Sequence, residues 1–197
     1  MKNFKLSEID ILSNQDWTFP TTTYYGPGRF NEIGKFCEEF EIKNPLIVTD
    51  SGSKDLPFIN KLETLLSKND IKSEVFYDIS PNPRDDEISK GCDQFRSGKH
   101  DAIIAIGGGS AMDGGKSICL TVNSDTPLWD FEFEQPVPKI TKENAFPKII
   151  TIPTTSGTGA ETEITAMVTH LEKGMKFCIW HPDVRPIFTL VDPELTL

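Results

Sequence analysis

A chain of 197 residues is long enough for one large α/β domain, or for one domain with a small appendage, and it can bury a substantial core. Twenty Lys and Arg against thirty Asp and Glu leave a formal charge of -10, which argues against a broad basic face for nucleic acid or anionic membrane. Cysteines at 37, 92, 119 and 178 make no C-x-x-C pair and a domain of this size needs no disulfide framework, so a reducing cytoplasm fits best.

The opening MKNFKLSEIDILSNQDW mixes charge through its first ten residues and lacks an apolar core of signal-peptide length. No later stretch reaches the roughly 18 uninterrupted apolar residues of a spanning helix, so a soluble protein is expected. Residues 17–25, WTFPTTTYY, are rich in aromatic and β-branched side chains and stop at Gly26-Pro27-Gly28, which predicts a strand ending in a turn. Pro20 marks that strand as bent or at an edge, where it is free to pair with a twin in a homodimer.

From Arg29 to Phe40 the apolar residues Phe30, Ile33, Phe36, Cys37 and Phe40 follow the stripe of an amphipathic helix, and Pro45 to Thr49 is a short buried strand. The alternation repeats with a helix at 57–69, a strand at 74–77, a helix at 85–97, the strand Ala102 to Ile106 and a helix at 111–122. Alternating β and α segments require crossovers, so they imply a parallel sheet covered on both faces, with a ligand site at the strands' carboxyl ends. Residues 125–147 contain four prolines and read as a long surface connection. Beyond them come a strand at 148–152, a Thr/Gly/Ser loop at 153–159, a strand pair at 162–170 and 175–180, and a last strand at 186–191.

The strongest local signal is the strand Ala102 to Ile106 running straight into Gly107-Gly108-Gly109-Ser110-Ala111-Met112-Asp113-Gly114-Gly115-Lys116. Glycines let a backbone approach a ligand closely, and the N–H groups and positive end of the following helix suit a pyrophosphate. The same residues also fit a tight turn in which Ser110 is the N-cap and Asp113 its capping-box partner. Lys116, one turn further on, reads either as a ligand-side cation or as a solvated surface residue. Neither G-x-G-x-x-G nor the P-loop spacing is met, because Ser110 stands where a P-loop needs glycine.

A second strand, Ile149 to Ile152, delivers Pro153-Thr154-Thr155-Ser156-Gly157-Thr158-Gly159-Ala160-Glu161. Its hydroxyls can donate to phosphate or ribose oxygens, or it is an ordinary polar turn. A third strand ends at Val48-Thr49-Asp50, where a carboxylate can accept from both ribose hydroxyls of an adenosine and would repel the 2′-phosphate of NADP. A turn former or helix cap is the plainer reading of Asp50.

Together these segments resemble the iron-containing, or group III, alcohol dehydrogenases, which share a fold with glycerol dehydrogenase and dehydroquinate synthase. The similarity is carried by GGGSAMD at 107–113 with Lys116 and by PTTSGTGAE at 153–161, and it runs from Tyr25-Gly26-Pro27-Gly28 to Asp192-Pro193-Glu194-Leu195-Thr196-Leu197. It implies a Rossmann-like dinucleotide-binding domain over residues 1–197, with a β-hairpin region about 162–180. It further implies NAD rather than NADP as cofactor and a small alcohol or aldehyde as substrate.

Residue by residue, the resemblance assigns Asp50 to the adenosine ribose, Asn82 in Pro81-Asn82-Pro83 to the neighbourhood of the cofactor, and Gly108, Gly109 and Ser110 to the pyrophosphate. Asp113 follows as a capping and orienting residue. Thr154, Thr155 and Thr158 match the loop facing the nicotinamide side, and Lys176 looks like the lysine that reaches the ribose, with an exposed hairpin lysine as the alternative. Gly114-Gly115 departs from a bulkier family pair ending in Ala and is expected to weaken the helix by roughly 1 kcal/mol per glycine.

Reduction of a carbonyl needs an electrophile, and the family uses Fe2+ or another divalent metal held by one Asp and three His of a helical C-terminal domain that follows the Asp-Pro-Glu-Leu-Thr segment. The only histidines here, His100, His170 and His181, match none of those positions. The expectation is therefore the cofactor-binding portion of a metal-dependent alcohol dehydrogenase, inactive by itself, with no metal ligand and no catalytic residue assigned. A stand-alone nucleotide-binding module, or a fragment of an enzyme like dehydroquinate synthase or glycerol dehydrogenase, is the alternative.

Overall fold

In the computed structural model, which describes residues 15–18 and 20–196, the parallel strands form one twisted sheet between two helical layers. In chain order the strands are β1 (Gln15–Thr18), β2 (Thr22–Tyr25), β3 (Pro45–Asp50), β4 (Glu74–Ile79), β5 (Ala102–Gly107), β6 (Lys148–Pro153), β7 (Thr165–His170), β8 (Met175–Trp180) and β9 (Phe188–Val191). The large sheet runs β1-β2-β9-β6-β5-β3-β4, and β7 pairs with β8 in a separate antiparallel ribbon. Every pairing in the large sheet is parallel except β1 with β2.

The helices are α1 (Ile33–Glu39), α2 (Pro57–Ser67), α3 (Asp85–Gly98) and α4 (Gly109–Thr121). β5 is buried along its entire length because both of its faces are covered, which is why it reads as an unbroken apolar run. Ile103 and Ala105 point into a core shared with Ile88 and Cys92 of α3, Met112 and Ile118 of α4 and the β7–β8 ribbon. Ala102, Ile104 and Ile106 point the other way, toward Ile33 and Phe36 of α1 and Ile59, Leu62 and Leu66 of α2. The period of two along the strand thus sorts its side chains between two cores.

Several expectations are corrected. The strand predicted over 17–25 is a hairpin, with Thr18 opposite Thr22 and Pro20 in the turn between β1 and β2. β2 pairs in parallel with β9, so it is interior, and among the described residues β1 and β4 are the outermost strands of the sheet. The helix predicted from Arg29 begins as a 3-10 turn, Arg29–Glu32, before α1. Residues 125–147 are more than a surface connection, since the 3-10 turn Leu128–Phe131 drives Phe131 into the core at 1% exposure. The charged first residues, read as lacking a signal peptide, lie outside the described residues.

The placement of the strands decides where a ligand can sit. β3 is flanked by β4 on one side and β5 on the other, so the crossovers leaving β3 and β5 diverge. Such a divergence opens a crevice beyond the carboxyl ends of the two strands. Asp50 and Gly107 are the residues that end them.

Candidate cofactor-binding site

A cleft of about 530 Å³ occupies that crevice, lined by Asp50 and Ser53 after β3, Gly108, Gly109 and Ser110 after β5, and Thr154 and Thr155 after β6. Leu56, Pro57, Phe58, Pro81, Leu195 and Thr196 complete its walls. The β5 and β6 loops are stitched together by the Thr154 N–H, which donates to the Gly107 carbonyl at 2.9 Å.

Backbone conformation explains the glycine run. Gly107 sits at φ 142°, and a Cβ there would lie 2.8 Å from Ala111 Cβ and 3.0 Å from Asp50 Oδ2. Only a residue without a side chain lets β5 turn into α4 beside the Asp50 carboxylate. Gly108 is the N-cap of α4, no side chain caps the helix start, and its first turn carries no acid. The positive end of a 13-residue helix therefore faces the cleft without a capping side chain or an acid in its own first turn, an arrangement that suits an anion.

The capping box expected from Ser110 and Asp113 is not formed. Ser110 lies inside the helix, and its hydroxyl donates to the Pro81 carbonyl at 2.8 Å, which pins the loop after β4 to the start of α4. Asp113 is mostly buried, with Oδ1 3.8 Å from Lys116 Nζ, and burial pushes its carboxyl up from the ordinary range against the pull of Lys116. Lys116 is not a solvated surface residue; it borders a smaller pocket that adjoins Gly109 and Ser110. It is fully buried, its ammonium donates to the carbonyls of Ala160 (2.9 Å) and Thr165, and burial holds its pKa below that of a free lysine.

Asp50 forms the turn expected of it and stands in the cleft. Its Oδ1 accepts the Gly52 N–H at 3.0 Å and its Oδ2 the Ser53 hydroxyl at 2.8 Å, so it forms the turn after β3. Its carboxylate also lines the cleft, with acceptor capacity left for further donors.

The two Gly/Ser/Thr-rich strand ends are brought together with Asp50, and a sequence comparison names the arrangement: the profile described as iron-containing alcohol dehydrogenase matches residues 20–193. The chain belongs to that family.

Among relatives of this iron-containing alcohol dehydrogenase family member, the NADH-dependent butanol dehydrogenase A of Clostridium acetobutylicum is 34% identical over 185 residues, covering 92% of this chain and 45% of that protein. The 1,3-propanediol dehydrogenase of Citrobacter freundii is 29% identical, covering 92% and 46% respectively. The sulfoacetaldehyde reductase from Bifidobacterium kashiwanohense, solved in complex with NAD+, superposes with a TM-score of 0.79 at 30% identity, covering 90% of this chain and 46% of that one. The chain thus spans about half the length of the curated relatives it matches.

Of the remaining residues singled out in the sequence, Thr158 and Asp113 line a smaller pocket of about 330 Å³ that shares Gly109 and Ser110 with the main cleft. Lys176 lies exposed on β8, and its charge reaches Asp113. Asn82 is exposed, with its backbone carbonyl taking the Ser80 hydroxyl at 3.0 Å; the cleft wall is formed by its neighbour Pro81.

Sequence reading missed Ser53, Leu56, Pro57 and Phe58, although a proline at the first position of α2 marks where that wall begins. It also missed Leu195 and Thr196, for which no local pattern exists.

The histidines hold structure. His100 Nδ1 lies 3.0 Å from the Asn44 carbonyl, His181 Nε2 3.1 Å from the Pro138 carbonyl, and His170 stacks on Trp129 with ring centroids 4.5 Å apart. Among the described residues no three His, Cys, Asp or Glu side chains are grouped to hold a metal. The family's iron therefore has no fitting donor set within them, whereas the cleft brings together an uncapped helix start, a glycine turn and the Asp50 carboxylate.

Proposed function

We propose that residues 20–196 bind NAD(H) for a dehydrogenase that interconverts an alcohol with an aldehyde or ketone. The observation that carries this reading is the convergence of Asp50 with Gly108, Gly109 and Ser110 at the divergence of β3 and β5. Asp50 takes the adenosine ribose hydroxyls and disfavours NADP, and the α4 start takes the pyrophosphate. Thr154, Thr155 and Thr158 face the nicotinamide side, Lys176 reaches toward its ribose, and Asn82 flanks the cofactor. NAD, when bound, supplies the hydride acceptor. The electrophile that polarises the carbonyl has no ligands among the described residues, so these residues alone bind cofactor without turnover.

No helix among the described residues is long and apolar enough to cross a membrane. We place the protein in the cytoplasm, where Cys37, Cys92, Cys119 and Cys178 stay as the free thiols observed. A homodimer through the N-terminal edge would use β1, and a monomer in sedimentation retires that arrangement.

Titration with NADH and NADPH, followed by fluorescence or calorimetry, tests the cofactor assignment. The wild-type chain is expected to prefer NADH, and Asp50→Gly to lower that preference by about tenfold, roughly 1.4 kcal/mol. The ratio is the measure, because the substitution also removes the partner of Ser53. An unchanged ratio removes Asp50 from the site.

A further inference from the structure

The loop that leaves β6 is tied to the sheet at both ends. At its start Thr154 is tied to Gly107. At its return the Glu161 carbonyl accepts the hydroxyls of Thr151 at 2.7 Å and Thr189 at 2.9 Å, which ties it to the sheet. Gly157 and Gly159, at φ 126° and 69°, have open space where a Cβ would stand. Lys116 ties this loop's return to α4, through the carbonyls of Ala160 and Thr165 on either side of Glu161. An ammonium has three donors; two are spent on these carbonyls, and the Asp113 carboxylate stands 3.8 Å from the same nitrogen.

Lys116 stands on α4, whose first turn is the cradle proposed for the pyrophosphate. At that first turn the loop lies close on the helix, since a Cβ on Gly109 would come within 3.2 Å of Thr158 Cγ2. One helix therefore touches both halves of the site, with its amides at one end and a buried lysine at the next turns.

We propose that Lys116 is a positioning residue that sets the nicotinamide-side loop, residues 154–165, at the distance from the pyrophosphate cradle that a whole dinucleotide requires. This rests on the NAD reading given above. Lys116 touches no ligand in this arrangement; it acts through Ala160 and Thr165. A ligand that ends at the second ribose meets at most Thr154 and Thr155, which Gly107 holds, and does not sense the tie at 160–165.

The test compares NADH with ADP-ribose on the full chain. Lys116→Met is expected to weaken NADH by about tenfold while ADP-ribose affinity stays within about twofold. Hydrogen exchange, measured without ligand, is expected to speed up at 158–165 and to stay unchanged in β5, which leads into α4. Equal losses for the two ligands, or no loss for either, overturn the proposal and leave Lys116 a plain core residue. If the Met variant does not fold, Lys116→Gln, which keeps a donor of shorter reach, is judged by the same ratio. A wild-type chain that binds neither ligand overturns the NAD reading, and the exchange pattern then decides separately whether Lys116 holds the loop.

Discussion

The carboxylate of Asp192 accepts the Phe30 N–H at 2.8 Å across 162 positions of sequence. Its other oxygen takes the N–H groups of Gly28 and Glu194, each at 3.0 Å. One carboxylate, 1% exposed, thereby joins the turn after β2 to the segment after β9. That segment carries Leu195 and Thr196 to the wall of the cleft.

Asp192→Ala leaves three backbone donors without their acceptor, and the expected loss is about 3 kcal/mol, since hydrogen bonds to charged groups are the strong ones. In a domain of this size that corresponds to a fall in Tm of about 10 °C. Asp192→Asn, which presents an NH2 where one acceptor oxygen stood, is expected to lose a smaller part. Thermal unfolding followed by circular dichroism decides, and a Tm within about 2 °C of wild type for the Ala variant contradicts the anchoring role.

Gly114 and Gly115 behave differently from what helix propensity says. Propensity predicts that alanine at either position stabilises α4 by about 1 kcal/mol. In the fold a Cβ on Gly115 would stand 2.7 Å from Ala105 Cβ, and one on Gly114 2.8 Å from Ile79 Cδ1. Both positions are where the helix lies directly on the sheet, so overpacking overrides propensity and a cost of about 2 kcal/mol is expected for Gly115→Ala. Gly114→Ala is expected to cost less, because the end of the Ile79 side chain can move and the Ala105 Cβ cannot. Urea unfolding of the two variants measures this, and an increase in midpoint for Gly115→Ala refutes it.

Burial pushes the Cys37 thiol up from 9.0 to about 12, with the Asp101 charge as a second cause. Because the folded pKa lies above the unfolded one, the stability Cys37 contributes is complete below pH 9.0 and is lost as pH rises toward about 12. Cys37→Ala carries a packing cost at every pH but not this alkaline loss. The gap in urea midpoint between wild type and Cys37→Ala is therefore expected to narrow as the pH is raised from about 8 to about 11. A gap that stays constant over that range contradicts the assignment.

Much of the site was legible before the fold. Gly108, Gly109, Ser110, Thr154 and Thr155 each follow a short apolar strand, and a strand that delivers glycines or hydroxyls at its carboxyl end announces a ligand loop. Asp50 stood out for the same reason. The surface reading of Lys116 and the N-cap reading of Ser110 failed because their partners, Ala160, Thr165 and Pro81, lie on other loops, and a hydrogen bond across such a distance leaves no mark on local spacing. Phe131 was hidden among prolines for the same reason.

The sequence by itself determined the alternation of strands and helices, the family, and the residues that end β3, β5 and β6, because each depends on neighbours within one turn or one strand. Tertiary structure alone decided that β2 is interior, that Gly115 is a contact rather than a weakness, and that Asp192 and Lys116 hold distant segments in place. Those outcomes depend on which surfaces meet once the sheet is assembled. A buried charge or a missing Cβ acquires its meaning only from what is packed against it.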